Sequence, residues 1–265
     1  MYASALLTLV GVAGFTAAAP HERRQNVAAF PKGTPWDIVL DSHRVSVDDF
    51  KKISQKVIDI DLFDHHDFKT GKNNITELKK TKTVICYFSA GTTENWRQFD
   101  KSKFQPGDIG KPMEDWDGEN WLDVKSKNVR EIMKGRIQFA KDSGCDAIDP
   151  DNTDGYDHQD GFNYEKEVYA DYIKFLAFEA NNRSMAIGLK NSLSIIELVQ
   201  PDVQFAVNEQ CHEFNECGVY APFTAANKAV FSIEYKNRNC TRVKDVVLSE
   251  VFKPLDLDKL GGQCS

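Results

Sequence analysis

Short apolar runs recur along the chain at fairly regular intervals. Near-continuous apolar runs of this length are typical of strands that are buried on both faces of a parallel sheet. Seven of them are Trp36–Leu40, Val57–Phe63, Val84–Gly91, Cys145–Asp149, Met185–Asn191, Val203–Glu209 and Ala229–Tyr235. The pattern predicts an eighth strand at Val251–Leu257.

Amphipathic segments lie between several of these runs. Val129–Ser143 and Tyr164–Asn181 both place apolar residues at helical spacing. Repeated strand–helix units predict an α/β fold, and seven or eight of them within 265 residues favour a single (β/α)8 TIM barrel domain. A doubly wound open sheet would give a similar pattern, so periodicity alone leaves that alternative open.

One long segment interrupts the alternation. More than thirty residues separate Gly91 from Val129, and they include three of the four tryptophans, Trp96, Trp116 and Trp121. Loops of this length are usually functional or disordered, and the aromatic content argues against disorder. Because sugar rings pack well on indole faces, we expect Trp96 and Trp121 to contact a carbohydrate at the barrel mouth; burial in the core is the alternative.

The N-terminal segment has the pattern of a signal peptide. Residues 1–19 contain no charged side chain and end in three alanines, and a dibasic pair at Arg23-Arg24 predicts a short pro-segment that ends at residue 24. The catalytic domain would then span residues 25–265, and the protein would be secreted to the extracellular space. No other apolar run is long enough to cross a membrane. Glycosylation sequons, which fit secretion, begin at Asn74, Asn182 and Asn239.

The cysteine count also fits an oxidising compartment. An even number of cysteines in a secreted protein suggests disulfides. We expect Cys211 and Cys217 to form one, and Cys240 with Cys264 would fasten the C-terminal segment. The other two, Cys86 and Cys145, lie in predicted strands and are either paired or simply buried. The spacing supports no zinc site.

Composition narrows the classes of partner. The formal net charge is −7 and the pI is about 5.4, which argues against a nucleic-acid partner and permits a cationic ligand. The sequence lacks a GxSxG elbow, an HExxH motif, a P-loop and a GxGxxG motif. We therefore expect no metal, no organic cofactor and no membrane contact, and we expect a monomer.

Acidic residues follow the apolar bodies of several predicted strands. In a TIM barrel the carboxyl ends of the strands carry the active site. Alternation along the strands predicts that Asp149, Asp151, Glu209 and Glu234 meet in one mouth. Hydrolysis of a glycosidic bond needs such a pair of carboxyl groups, one to protonate the leaving oxygen and one to attack carbon or activate water. Helix caps and turns are the alternative roles for Asp59, Asp61, Asp64 and Asp149.

Several blocks of residues resemble the endo-α-1,4-polygalactosaminidases of glycoside hydrolase family 114. The blocks are VIDIDLF (57–63), VICYFSAG (84–91), WDGENWLD (116–123), DPDNTDGY (149–156), GLKN (188–191), NEQC (208–211) and Glu234-Tyr235. The resemblance runs in order from about Trp36 to Tyr235. It implies a TIM barrel related to the α-galactosidase-like hydrolases.

The resemblance also implies an activity and its residues. The enzyme would cleave α-1,4-linked galactosamine or N-acetylgalactosamine polymers internally, with Asp151 as nucleophile or base and Glu209 as acid. The substrate cleft would be lined by Asp61, Asp149, Asp154, Lys190, Glu234 and Tyr235. Deacetylated galactosamine is cationic, which suits an acidic protein. A hydrolase of another α-glycan and a non-catalytic carbohydrate-binding barrel are the alternatives.

Overall fold

Eight parallel strands form the main sheet of the computed structural model, in the order in which they occur along the chain. The structure describes residues 27–41, 44–236, 238 and 240–264. The predicted signal peptide and pro-segment, and Asn239, lie outside the described residues. The strands are β1 (Trp36–Val39), β2 (Val57–Asp61), β3 (Thr83–Ser89), β4 (Ala147–Asp151), β5 (Ala186–Lys190), β6 (Phe205–Glu209), β7 (Val230–Glu234) and β8 (Leu248–Phe252). This order confirms the (β/α)8 barrel, since a doubly wound sheet would reverse its strand order near the centre.

In the described part of the chain, one α-helix follows each of β1 to β6. The helices are α1 (Val47–Lys52), α2 (Asn74–Leu78), α3 (Lys127–Ser143), α4 (Lys166–Asn181), α5 (Ile196–Val199) and α6 (Ala221–Ala225). The two long helices, α3 and α4, match the amphipathic segments of the sequence. Ser126 caps the start of α3 through its hydroxyl, and Gly144 ends the helix in the left-handed conformation.

The apolar residues form two layers. One buried cluster fills the barrel interior, where Trp36 stacks on Phe231 with ring centroids 4.6 Å apart. The other lies between the barrel and its helices. Successive side chains of a strand alternate between these layers. The members of the interior cluster therefore show which positions of each strand face the barrel axis.

The C-terminal segment fills the gap between the first and last strands. No strand pairing joins β1 to β8 among the described residues. Instead, Gln263 forms an antiparallel bridge with Val251 of β8 and donates from Nε2 to the carbonyl oxygen of Trp36 in β1, at 3.3 Å. A fully buried ion pair between Lys253 and Asp37 crosses the same gap. We call residues 261–264 the seam segment.

The last strand begins three residues earlier than the sequence predicted. Leu248–Phe252 forms β8, whereas the apolar pattern pointed to Val251–Leu257. After Phe252 the chain turns at Pro254, and Leu257 accepts a hydrogen bond from the backbone N–H of Leu40 through its carbonyl oxygen. The apolar residues beyond Phe252 therefore form a turn that packs against the end of β1, and they do not continue the strand.

The long segment after β3 is folded. It forms a three-stranded antiparallel sheet of Thr92–Glu94, Glu119–Leu122 and Ile109–Pro112, with Glu119–Leu122 in the centre. We call this the cap sheet. A turn formed by residues 113–118 joins its last two strands in the chain. Gly118 has a φ of 95°, and a Cβ atom there would lie 2.5 Å from the amide of Asn95, so this turn requires glycine.

Three disulfides link the six cysteines. Cys211 is bonded to Cys217 and Cys240 to Cys264, as expected. Cys86 is bonded to Cys145, which settles the alternative that the sequence left open. No helix among the described residues is long and apolar enough to cross a membrane.

Candidate active site

Four barrel strands direct polar side chains into one mouth. Ala147, Ala186, Phe205 and Phe231 all belong to the interior cluster. Residues two or four positions further along a strand point to the same side. The side chains that therefore point toward the barrel axis are those of Asp151, Lys190, Glu209 and Tyr235. They lie at the carboxyl ends of the strands, where TIM barrels carry their catalytic groups.

One lysine joins the two candidate catalytic carboxylates. Lys190 Nζ lies 3.1 Å from Asp151 Oδ1 and 3.0 Å from Glu209 Oε2. The Lys190 side chain is 5% exposed, against 16% for Asp151 and 25% for Glu209. Burial alone would lower the pKa of Lys190, but the carboxylates around it raise that pKa well above its usual value. The lysine is therefore a fixed positive charge between the two acids.

Each carboxylate also accepts further hydrogen bonds. Tyr87 donates its hydroxyl to Asp151 Oδ2 at 2.9 Å, and the backbone N–H of Asn152 donates to Oδ1 at 2.8 Å. On the other side, Tyr235 donates its hydroxyl to Glu209 Oε1. Asn191 Nδ2 donates to Glu209 Oε2 at 3.1 Å. Both acids are held in fixed orientations by donors that favour the ionised form.

The two acids differ in their electrostatics. Burial raises the pKa of Asp151, and the nearby charge of Glu209 raises it further against the opposing effect of Lys190. Burial also acts to raise the pKa of Glu209, but Lys190 and the hydrogen bond from Tyr235 outweigh it and lower that pKa. Without substrate, Glu209 is thus the more strongly ionised member of the pair.

A glycine allows β3 to approach Asp151 closely. The backbone N–H groups of Ala90 and Gly91 donate to the carbonyl oxygen of Asp151 at 2.9 and 3.1 Å. A Cβ atom on Gly91 would lie 1.6 Å from the carbonyl oxygen of Asn152. No side chain fits at this position unless the backbone that carries Asp151 moves.

Two more carboxyl groups lie deeper in the barrel. Asp59 of β2 and Asp149 of β4 are both fully buried. Burial raises the pKa of Asp149 to about 7, and burial together with Asp149 raises the pKa of Asp59 well above its usual value. Burial thus favours the protonated form of both carboxyl groups in this layer.

The cap sheet and a loop complete the wall of the pocket. A cavity of about 220 Å³ contains both candidate catalytic acids and is also lined by Trp116, Glu119 and His158. Glu119 accepts a hydrogen bond from the hydroxyl of Thr92 at 2.5 Å. Burial raises the pKa of Glu119 to about 7. The segment that interrupts the strand–helix alternation thus supplies one side of the site.

Comparison with known proteins identifies the family. The model of glycoside hydrolase family GH114 matches residues 17–265. The chain belongs to family GH114. It is therefore a glycoside hydrolase, as the resemblance implied. No curated protein sequence shows a significant match.

Solved structures support the GH114 assignment. The Aspergillus fumigatus protein Ega3, determined in complex with galactosamine, is 38% identical; the match covers 90% of this chain and all of that one, with a TM-score of 0.79. The glycoside hydrolase domain of PelA from Pseudomonas aeruginosa is 10% identical over 88% of this chain and 98% of that one, with a TM-score of 0.63. The PelA match shows a shared fold.

Asp61 of this GH114 chain binds Arg97, which follows the first strand of the cap sheet. Arg97 Nη1 and Nη2 lie 3.1 and 2.7 Å from the two carboxylate oxygens of Asp61. The backbone N–H groups of Phe63 and Asp64 also donate to Oδ1. Arg97 in turn pairs with Glu94 of the cap sheet at 2.8 Å. This network fastens the cap sheet to β2 and leaves Asp61 3% exposed.

Glu234 lies on the other face of β7. Phe231 and Ile233 belong to the interior cluster, so the interior positions continue to Tyr235 rather than to Glu234. Glu234 is buried and accepts a hydrogen bond from the backbone N–H of His212 at 2.8 Å. Of the other predicted cleft residues, Asp154 lines the 220 Å³ pocket, and Asp149 lies beneath it.

The three tryptophans between β3 and α3 of this GH114 chain differ in their exposure to solvent. Trp96 is 47% exposed but is not among the described residues that line the pocket. Trp121 is 3% exposed and stacks against His158, with ring centroids 5.0 Å apart. Trp116, for which the sequence suggested no particular role, is 49% exposed and lines the pocket.

Other site residues were missed for different reasons. Tyr87 and Asn191 had a usable signal, because one lies on the interior alternation of β3 and the other directly follows Lys190 at a strand end. Glu119 and His158 had none, since their positions depend on how the cap sheet and a loop fold. Among the described residues, the one close group of metal-ligand types is Cys240, Glu250 and Cys264, and its two cysteines are bonded to each other.

Proposed function

We propose that this enzyme cleaves α-1,4-linked galactosamine and N-acetylgalactosamine polysaccharides internally, with Asp151 and Glu209 as its catalytic pair. The observation that carries the proposal is the placement of both acids around Lys190 in a pocket at the carboxyl ends of the barrel strands. The substrate class is supported by Ega3, which was solved with galactosamine and is 38% identical.

The spacing of the two acids favours a retaining mechanism. Asp151 Oδ1 and Glu209 Oε2 both contact Lys190 Nζ, at 3.1 and 3.0 Å, so these two oxygens are at most about 6.1 Å apart, the sum of the two distances. Retaining glycosidases have carboxyl separations of about 5–5.5 Å, and inverting enzymes of roughly 6.5–9.5 Å. The upper limit for these two oxygens lies below the inverting range, which supports a retaining mechanism.

In the proposed reaction, two displacements occur at the same carbon. The Asp151 carboxylate attacks C1 while the Glu209 carboxyl group protonates the leaving glycosidic oxygen, which gives a glycosyl ester on Asp151. Glu209, now ionised, takes a proton from water as that water attacks C1. The ester bond breaks, and Asp151 leaves as a carboxylate.

The electrostatics of the free site constrain this assignment. Glu209 must be protonated to act as the acid, yet Lys190 and Tyr235 lower its pKa. The assignment therefore requires that Glu209 gains a proton when the sugar fills the pocket and displaces water. Azide rescue of alanine variants separates the roles: a nucleophile variant yields a glycosyl azide of inverted configuration, and an acid variant yields one of retained configuration.

We also propose that the enzyme acts outside the cell. Three disulfides connect all six cysteines, a density that is rare in a reducing compartment. An enzyme outside the cell would meet an extracellular polysaccharide directly, since such a polymer is too large to cross the cell membrane.

The decisive experiment measures reducing ends released from partly deacetylated α-1,4-galactosamine polymer. Wild-type enzyme should release them, whereas Asp151→Asn and Glu209→Gln should each lose at least about a hundredfold in rate. Asp171→Asn, which changes an exposed carboxylate on α4, is the matched control and should be fully active. If wild-type enzyme cleaves only another α-glycan, the substrate is wrong; binding without cleavage of any polymer would favour the carbohydrate-binding alternative.

A further inference from the structure

A second, larger cavity opens beside the catalytic pocket. Its volume is about 710 Å³, within the range of roughly 300–1,000 Å³ that is typical of ligand sites. The turn of the cap sheet forms one wall, and residues 157–159 form the other. Met113, Trp116 and His158 line both this cavity and the catalytic pocket. The two spaces are therefore parts of one continuous cleft.

Trp116 stands where the two cavities meet. Its ring is half exposed although it lies within a folded sheet segment. The turn that presents it is well defined: the Trp116 carbonyl oxygen accepts from the N–H of Glu119 at 3.1 Å, and Met113 donates its N–H to the Glu119 carbonyl oxygen at 3.0 Å. These bonds fix the backbone that presents the indole, which offers an apolar face to a sugar ring and a π face to a cation.

The charges around this cavity are mainly negative. Glu114, Asp115 and Asp157 line it, together with Lys111 and the half-buried His158. The carboxylate of Asp154, whose Oδ2 lies 3.8 Å from His158 Nε2, raises the pKa of His158, and the charges of Asp157 and Glu114 raise it further. The histidine thus responds to a negative potential in the cavity. A sugar that carries an ammonium group would be attracted to the same potential.

We propose that this cavity is a subsite for the next amino-sugar units of the polymer, with Trp116 as its platform and Asp157 and Glu114 as partners of the ammonium groups. The inference rests on the proposed function. It assigns the direction in which the polymer leaves the catalytic pocket, toward the cap sheet. It also predicts that free amino groups in this subsite are favoured over acetylated ones.

The test compares Trp116→Ala with Trp96→Ala and Phe178→Ala on two substrates, a long deacetylated α-1,4-galactosamine polymer and the shortest galactosamine oligosaccharide that is cleaved. Trp96 has nearly the same exposure as Trp116 but lies outside both cavity linings, and Phe178 is an exposed aromatic residue on α4. Trp116→Ala should lose about tenfold in kcat/KM on the polymer and a smaller factor on the short substrate, which reaches Trp116 only from the catalytic pocket. Phe178→Ala should match wild type on both.

A charge variant supplies the second measurement. Asp157→Asn should weaken kcat/KM on the deacetylated polymer severalfold at low salt, with a smaller loss on the acetylated polymer and at high salt. Unchanged polymer kinetics in Trp116→Ala would overturn the subsite, as would a larger loss in Trp96→Ala or an equal loss on short and long substrates. Failure of wild-type enzyme to cleave either substrate would instead overturn the proposed function, and with it the ligand assigned to this cavity.

Discussion

Two tyrosines offer a way to test the proposed role of each acid separately. Tyr87 donates its hydroxyl to Asp151, and Tyr235 donates its hydroxyl to Glu209. Replacement by phenylalanine removes one donor and keeps the ring. A hydrogen bond to a charged group contributes about 1.5–3 kcal/mol. Since 1.36 kcal/mol corresponds to one pKa unit, each substitution should raise the pKa of its own acid by about 1–2 units.

The expected signature appears in the pH profile of kcat at saturating polymer, which reports groups in the substrate complex. If Asp151 must be ionised, its pKa sets the acidic limb, and Tyr87→Phe should move that limb to higher pH. If Glu209 must be protonated, its pKa sets the basic limb, and Tyr235→Phe should move that limb to higher pH. Tyr156→Phe, at a tyrosine outside the described lining of the catalytic pocket, is the control.

The reasoning can fail in two recognisable ways. If Tyr87→Phe moves the basic limb and Tyr235→Phe moves the acidic one, the two acids have the opposite roles. If neither limb moves in either variant, the hydroxyl groups do not bond to the carboxylates during turnover, and the electrostatic account of the site is refuted.

Three further predictions concern the backbone of the site, its electrostatics and the stability of the fold. Gly91→Ala should lower kcat/KM by at least about tenfold with little change in secondary structure by circular dichroism, because the new Cβ displaces the backbone of Asn152 next to Asp151. Lys190→Met should raise the pKa of both acids by about 1–3 units, so the acidic limb of kcat/KM should move to higher pH; an unshifted limb would argue against the lysine's role. The double variant Cys240→Ser/Cys264→Ser opens a loop with a sequence separation of 24 and should lose about 3–4 kcal/mol of stability, seen as a Tm lower by roughly 6–16 °C in calorimetry.

The sequence was most informative where local pattern and position determine structure. Apolar runs predicted the strands, and the rule that barrel strands end in catalytic groups predicted that Asp151 and Glu209 meet at the barrel mouth. Strand parity was harder to assign. In the run Ala229–Tyr235 the polar residues Ser232 and Glu234 share one face, which the sequence analysis assigned to the axis. The structure instead turns the apolar face inward, so that Tyr235 and not Glu234 faces the axis.

Long-range pairing was beyond the sequence. Nothing local indicates that Asp61 binds Arg97, a residue 36 positions away, rather than substrate. The choice among the tryptophans depends on the turn and pairing of the cap sheet, which bury Trp121 and expose Trp116. Such contacts arise only when separate segments pack together, and no residue pattern within either segment encodes the partner.

The seam segment affects how the barrel can close during synthesis of the chain. During synthesis β1 appears early, yet the residues that bridge it to β8 are 261–264, more than two hundred positions later. Until then the nascent barrel has two unpaired strand edges, and such edges readily pair with other chains. Oxidation of Cys240 with Cys264 locks the bridging segment in place, so this bond marks a chain whose barrel is complete. A cell that exports the enzyme would therefore need to protect the open form until residues 261–264 emerge from the ribosome.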